Sequence, residues 1–183
     1  MHGSKPQFLL DILSNGPNER YSGAIGTLFG NGMYFAEDAD KVDQYVSCDK
    51  AFVRQQGPTK GALHARLYGG ARAQDHPGNI HYVLVCRVAL GHYVRTRDAA
   101  PKCKSIDGAG AKSAGAEPCF ARDNPRELAA VPNVSPPIHY HALIGETGPG
   151  HLRHREVVLF HGEFLYPEYL LGVHRLSPKG VAL

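Results

Sequence analysis

Apolar residues in this chain gather in short runs separated by glycine- and proline-rich stretches, and the spacing within each run predicts the element it forms. Residues 5–14 (KPQFLLDILS) are apolar at positions 8, 9, 10, 12 and 13 and are followed by Asn15-Gly16, which predicts a short helix with a glycine stop. DADKVDQYV, 38–46, has helical spacing with an Asp at the N-cap position. IHYVLVCRVALG, 80–91, is the clearest strand, apolar, β-branched and ended by glycine. REVVLFHGEF, 155–164, is a second strand. YPEYLLGVHRL, 166–176, is a third, placed at a sheet edge because Pro167 has no N–H to give a ladder. MYFAED reads as a short strand or turn, and NVSPPIHYHALIG as extended chain, since paired prolines resist helix. Strands with a few short helices and no regular βαβ alternation predict an α+β fold.

Between these runs the pattern is weaker. Residues 17–32 (PNERYSGAIGTLFGNG) read as a glycine-rich loop that approaches something closely or takes positive φ. Residues 48–79 are polar and irregular, with GALHARLYG expected to be an insertion helix rather than a binding site. Residues 98–130 are the least patterned, and DGAGAKSAGAEP within them reads as a surface loop. The expected organisation is a single domain over 1–183, with 48–79 and 98–130 as insertions or loops.

Composition narrows the class without naming a function. The chain has 183 residues, 43% hydrophobic and 20% charged, an ordinary globular balance. A net charge of +3 suits an anionic ligand such as a dinucleotide and falls short of the basic stripe of a dedicated nucleic-acid binder. No apolar run reaches the ~20 residues of a membrane helix. MHGSKPQ has no apolar signal-peptide segment. Cys48, Cys86, Cys103 and Cys119 form no CxxC pair, so reduced thiols and an intracellular setting, nuclear or cytoplasmic, are expected.

Three segments carry candidate chemistry. In His2-Gly3-Ser4 the glycine lets backbone polar groups approach a ligand while His and Ser offer side-chain hydrogen bonds; the bland alternative is a loose terminus. Phe29-Gly30-Asn31-Gly32-Met33-Tyr34-Phe35-Ala36 is followed by Tyr45, and two such tyrosines could hold a flat cationic ring by stacking and cation–π attraction, about 0.5–2 kcal/mol each. They could equally be core aromatics with hydrogen-bonded hydroxyls. Glu156 opens an apolar strand; it is either a carboxylate that steadies a cationic transition state or an edge residue paired with Arg153 or Arg155. His139, His141, His151 and His154 complete no metal motif, and no metal is expected.

Taken in order, HGSKPQFLLDILSNG, LFGNGMYFAEDADKVDQYV, VLVCRVALG, HALIG and REVVLFHGEFLYPEYLL resemble the poly(ADP-ribose) polymerase catalytic domain, most of all its tankyrase-like members. The resemblance implies the ADP-ribosyltransferase fold: two packed, mostly antiparallel sheets, flanked by short helices, with NAD in the cleft. It also implies transfer of ADP-ribose from NAD to an acceptor, either a protein side chain or a growing ADP-ribose chain, with a nucleic-acid end as a further option. By position His2 looks like the family histidine on the adenosine ribose, with Ser4 beside it, and Gly3 like the glycine whose backbone reads the carboxamide. Tyr34, next to Phe35 and Ala36, and Tyr45 look like the pair that sandwiches nicotinamide. Glu156 looks like the catalytic glutamate, Lys41 like a lysine on the acceptor side, and Arg20 lies in the stretch that resembles the loop over the adenosine half. Catalysis is thus expected from His2, Tyr34 and Glu156.

Two departures from the family pattern stand out. Val42 occupies the place where members often carry a carboxamide-binding Ser, and only Met1 precedes His2 where the family has a strand, so His2 is expected to fray. Both favour the rival reading, a catalytically weak or inactive module that binds NAD or ADP-ribose.

Overall fold

The computed structural model describes residues 1–19, 22, 27–50, 62–106, 117–148 and 152–176. The chain divides into two interleaved compact units, one made of Met1–Pro17, Ala39–Arg87 and Tyr166–Leu183, the other of Asn18–Asp38 and Val88–Leu165.

In the first unit, strand β1 (His2–Gly3) leads into helix α1 (Pro6–Asn15), which has proline in its first turn, where the missing N–H costs nothing. The helix stops as predicted at Gly16, whose φ of +76° few other residues adopt. Helix α2 (Ala39–Asp43) is a single short turn, and helix α3 (Ala62–Tyr68) forms within the GALHARLYG segment. A 3-10 turn at Gly70–Asp75 follows. Strand β3 (His81–Val88) is the centre of a three-stranded sheet ordered β1-β3-β9, where β9 is Leu165–Val173, so the proline-bearing strand does lie at an edge. Leu9, Leu63, Ile80, Tyr82 and Leu84 form this unit's core, which explains the apolar face of α1.

The second unit is built on a four-stranded sheet ordered β2-β8-β7-β4, from β2 (Met33–Ala36), β8 (Glu156–Leu159), β7 (Ala142–Gly145) and β4 (Tyr93–Thr96). Strands β2 and β7 both pair antiparallel with β8, while β4 pairs parallel with β7. The second predicted strand is therefore shorter than its apolar run; it ends at Leu159, and a 3-10 turn takes Gly162–Phe164. Every residue of β7 is buried, as a central strand covered on both faces requires.

The segment 98–130 corrects the sequence expectation. A hairpin of β5 (Phe120–Asp123) and β6 (Arg126–Leu128) forms here, and Ala99, Cys103, Cys119, Phe120 and Leu128 join Phe29, Val94, Leu143, Leu152 and Val158 in one core. Its apolar residues are scattered and, apart from Phe120 and Leu128, small, with cysteines serving as compact hydrophobes, so no period betrays them. The DGAGAKSAGA stretch, 107–116, lies outside the described residues.

Candidate active site

On the second unit the sheet register brings two predicted residues together. Glu156 sits between Ala36 on one side and Gly145 on the other, and Tyr34 pairs with Val158. Directly opposed residues in antiparallel strands share a face, and so do residues two apart on one strand. Tyr34, Ala36, Glu156 and Val158 therefore point to the same side of the sheet, and Tyr34 and Glu156 are diagonal neighbours, roughly 7–8 Å apart in backbone terms. Glu156 as a whole residue is 3% exposed, and its cross-strand neighbours are the two smallest residue types. Gly145 is small by necessity: a Cβ there would lie 2.8 Å from both the Phe29 ring and Leu152 Cδ1.

Tyr34 is held rigidly. Its hydroxyl accepts a hydrogen bond from the Phe29 N–H at 2.7 Å and donates to the Gly30 carbonyl at 2.9 Å. The glycine-rich loop thus closes on the ring that follows it, with Gly30 at φ +104°. Phe35 and Ala36 are buried in the same strand. The arginine beside Glu156 turns elsewhere: Arg155 pairs with Glu37 at 2.8 Å and with Glu146 at 3.3 Å. The reading of Arg155 as a structural partner of Glu156 gives way to these two pairs, because adjacent strand residues point to opposite faces.

On the first unit, His2 and Gly3 form a short strand, where fraying is the sequence-based expectation. They pair with Leu84 and Val83 of β3, so a two-residue strand ties the segment down. Gly3 is pressed against the end of α2: a Cβ there would stand 2.6 Å from the Val42 carbonyl oxygen and 3.1 Å from Val46 Cγ1. No other residue allows that approach without displacing backbone. Val42 itself is 3% exposed. Tyr45, half-buried, follows from α2 through its N–H to the Val42 carbonyl, 3.0 Å, and the Lys41 ammonium lies 5.4 Å from the centre of its ring. Ser4 is half-buried just after β1. Arg20 lies outside the described residues.

The histidines considered above serve separate local roles. The His139 ring is 2.6 Å from the Leu128 carbonyl, His141 accepts the His92 N–H, and His154 lies 3.0 Å from Asp38. His151 is outside the described residues. Sequence reasoning missed another grouping: Asp49, His64 and His76, from three segments with no common motif, converge in the first unit.

A mixed fold of mostly antiparallel sheets and a few short helices is consistent with the ADP-ribosyltransferase fold. The chain matches the family model of the poly(ADP-ribose) polymerase catalytic domain over residues 1–175, and it belongs to that family. Membership implies ADP-ribosyl transfer from NAD, with NAD and an acceptor as substrates. No helix among the described residues is long and apolar enough to cross a membrane.

Proposed function

We propose that this chain is an active transferase that moves ADP-ribose from NAD to a protein side chain or to a growing ADP-ribose chain, using Glu156, Tyr34 and His2. The observation that carries the reading is the burial of Glu156 on the same sheet face as Tyr34, flanked by Ala36 and Gly145. A carboxylate fixed on a sheet face beside an aromatic ring is placed to act on a cation bound there. Here that action is electrostatic. The bond from ribose C1′ to the pyridinium nitrogen breaks, its electron pair leaves with nicotinamide, and the positive charge passes from the ring to the sugar. Nicotinamide departs neutral and needs no proton. The sugar is then oxocarbenium-like, as in glycoside cleavage, and a fixed carboxylate lowers its energy. An acceptor oxygen attacks C1′; a carboxylate brings no proton, and a hydroxyl passes its proton to the Glu156 carboxylate or on to water.

The remaining roles follow the chemistry of each side chain. Tyr34, its hydroxyl already committed, offers only its ring, which is the part that stacks on a pyridinium. Tyr45 offers a second ring, with Lys41 beside it toward the acceptor. Gly3 offers backbone groups of an edge strand to the carboxamide, and His2 a ring nitrogen to the adenosine ribose. Phe35 and Ala36 back Tyr34, and Ser4 and Arg20 serve the adenosine half.

A second reading has one specific support, the buried Val42 where a carboxamide-binding hydroxyl is common: a module that holds NAD without turnover. Incubating the purified chain with NAD labelled on the adenylate separates the two. Label on protein with equimolar nicotinamide release is the expected result. Free ADP-ribose alone indicates hydrolysis. Binding by calorimetry with neither label nor nicotinamide overturns the transferase reading.

A further inference from the structure

We propose that Asp49, His64 and His76 form a binding site for a divalent transition metal, with zinc the ion their donors suit. None of the three is among the residues assigned to NAD above. Three independent pieces of chain build it. Asp49 is fixed by reciprocal backbone bonds to Ile80, 2.7 and 3.2 Å; His64 projects from α3; His76 caps the 3-10 turn at Gly70–Asp75. One donor atom from each lies within 4.8 Å of the others, and their side chains are only 3%, 4% and 1% exposed.

The protons do not settle without help. His64 Nδ1 is 2.7 and 2.8 Å from the two Asp49 oxygens, so a proton sits between them. The other nitrogen, His64 Nε2, is buried and has no hydrogen-bond partner among the described residues. If His64 is neutral, that nitrogen is a bare lone pair; if it is cationic, it is a donor with nothing to receive it. Either state leaves a buried polar atom unmet, which costs about 1–3 kcal/mol. The Tyr82 hydroxyl donates to Asp49 Oδ2 at 3.1 Å, and His76 Nε2 stands 3.6 Å from the same oxygen. A buried carboxylate is thus met, among the described residues, by two imidazoles and a phenol rather than by Lys or Arg.

A divalent ion seated where that proton lies, between His64 Nδ1, Asp49 and His76 Nε2, neutralises the carboxylate and takes one lone pair from each imidazole; two imidazoles with a carboxylate are donors that zinc accepts, leaving a fourth position for water. Aromatic rings wall the cluster: Tyr68 lies 4.5 Å from His76 and 5.6 Å from His64, centre to centre. His76 Nδ1 accepts the Gly78 N–H at 3.0 Å. Ligation through Nε2 moves a proton to Nδ1 and turns that N–H away, and Gly78, at φ +90° with nothing near its Cβ position, has the room to turn.

The test uses the full chain stripped with chelator. Dialysis against zinc and elemental analysis are expected to give one zinc per chain that survives gel filtration. Zinc at about 100 times its Kd is expected to raise Tm by roughly 5–10 °C. His64→Gln and His76→Gln are each expected to weaken zinc more than about 10-fold, the lower bound for even an outer-shell partner, while His92→Gln leaves it unchanged. If the variants fail to fold, the wild-type zinc content and Tm rise decide alone. A purely polar core predicts no retained zinc and no Tm change, and that result overturns the site. Equal zinc retention by wild type and the double variant His64→Gln/His76→Gln also overturns it, since the metal would then sit elsewhere.

Discussion

Replacing Gly3 by alanine probes the tightest contact in the candidate NAD-binding segment. The added Cβ would meet the Val42 carbonyl oxygen at 2.6 Å, Val46 Cγ1 at 3.1 Å and Val42 Cγ1 at 3.2 Å. The first contact is with backbone and cannot be relieved by a rotamer change. Restoring ordinary packing distances requires β1 and α2 to separate by about 1 Å. β1 has only two ladder residues, His2 opposite Leu84 and Gly3 opposite Val83, so it has little to resist with. Overpacking of this kind costs roughly 1–3 kcal/mol. At this chain length each kcal/mol lowers Tm by about 2–4 °C, so Gly3→Ala is expected to lower Tm by roughly 2–12 °C in a thermal melt. The same displacement moves the backbone assigned to the carboxamide, so KM for NAD rises more than kcat falls. Ser4→Ala, one residue on, is the control and stays within about 0.5 kcal/mol of wild type. A Gly3→Ala protein with Tm within about 1 °C of wild type and unchanged KM refutes both the close approach and the role.

Three further outcomes follow. Val42→Ser restores a hydroxyl where the family often has one; an inhibitor that mimics the nicotinamide carboxamide is expected to gain about 1 kcal/mol, roughly fivefold in Kd by calorimetry, and no gain contradicts the assignment of this position. Burial, then the Arg175 guanidinium, hold the His81 imidazole below its ordinary pKa of 6.5, so the unfolded chain binds a proton that the folded chain refuses. Stability from this group is therefore complete above about pH 6.5 and falls as pH drops toward the lowered folded value; His81→Gln removes that part of the slope in denaturant titrations at stepped pH. Burial pushes the Cys86 thiol up to about 11, so iodoacetamide at pH 8 is expected to modify it about 100-fold more slowly than an unperturbed thiol, as peptide mass mapping would show.

The sequence pattern located most elements and missed what depends on pairing. α1, β2, β3, β8 and the edge position of β9 were legible because periodicity, Gly16 and Pro167 act locally. β4 was not legible: YVRT is too short to show alternation and becomes a strand by lying parallel to β7. The 99–130 core was hidden because its buried residues are irregularly spaced and, apart from Phe120 and Leu128, small. For the site, motif resemblance supplied His2, Gly3, Tyr34, Tyr45 and Glu156 as candidates. Only register revealed that Ala36 and Gly145 flank Glu156, and that Tyr34 shares its face. Arg155 looked like a partner of Glu156 from adjacency alone, and strand alternation sends it to Glu37 and Glu146. Asp49, His64 and His76 had no shared motif, since their meeting depends on a loop bridge, a helix and a 3-10 turn.

The most direct test of the transfer chemistry is Glu156→Gln, which keeps the size and burial of the side chain and removes its charge. Nicotinamide release from NAD is expected to fall by at least about 10²-fold, while NAD affinity by calorimetry and the far-UV spectrum stay close to wild type. Turnover near the wild-type rate in a folded Glu156→Gln protein contradicts the account, because nothing else proposed here stabilises the charge that develops on the sugar.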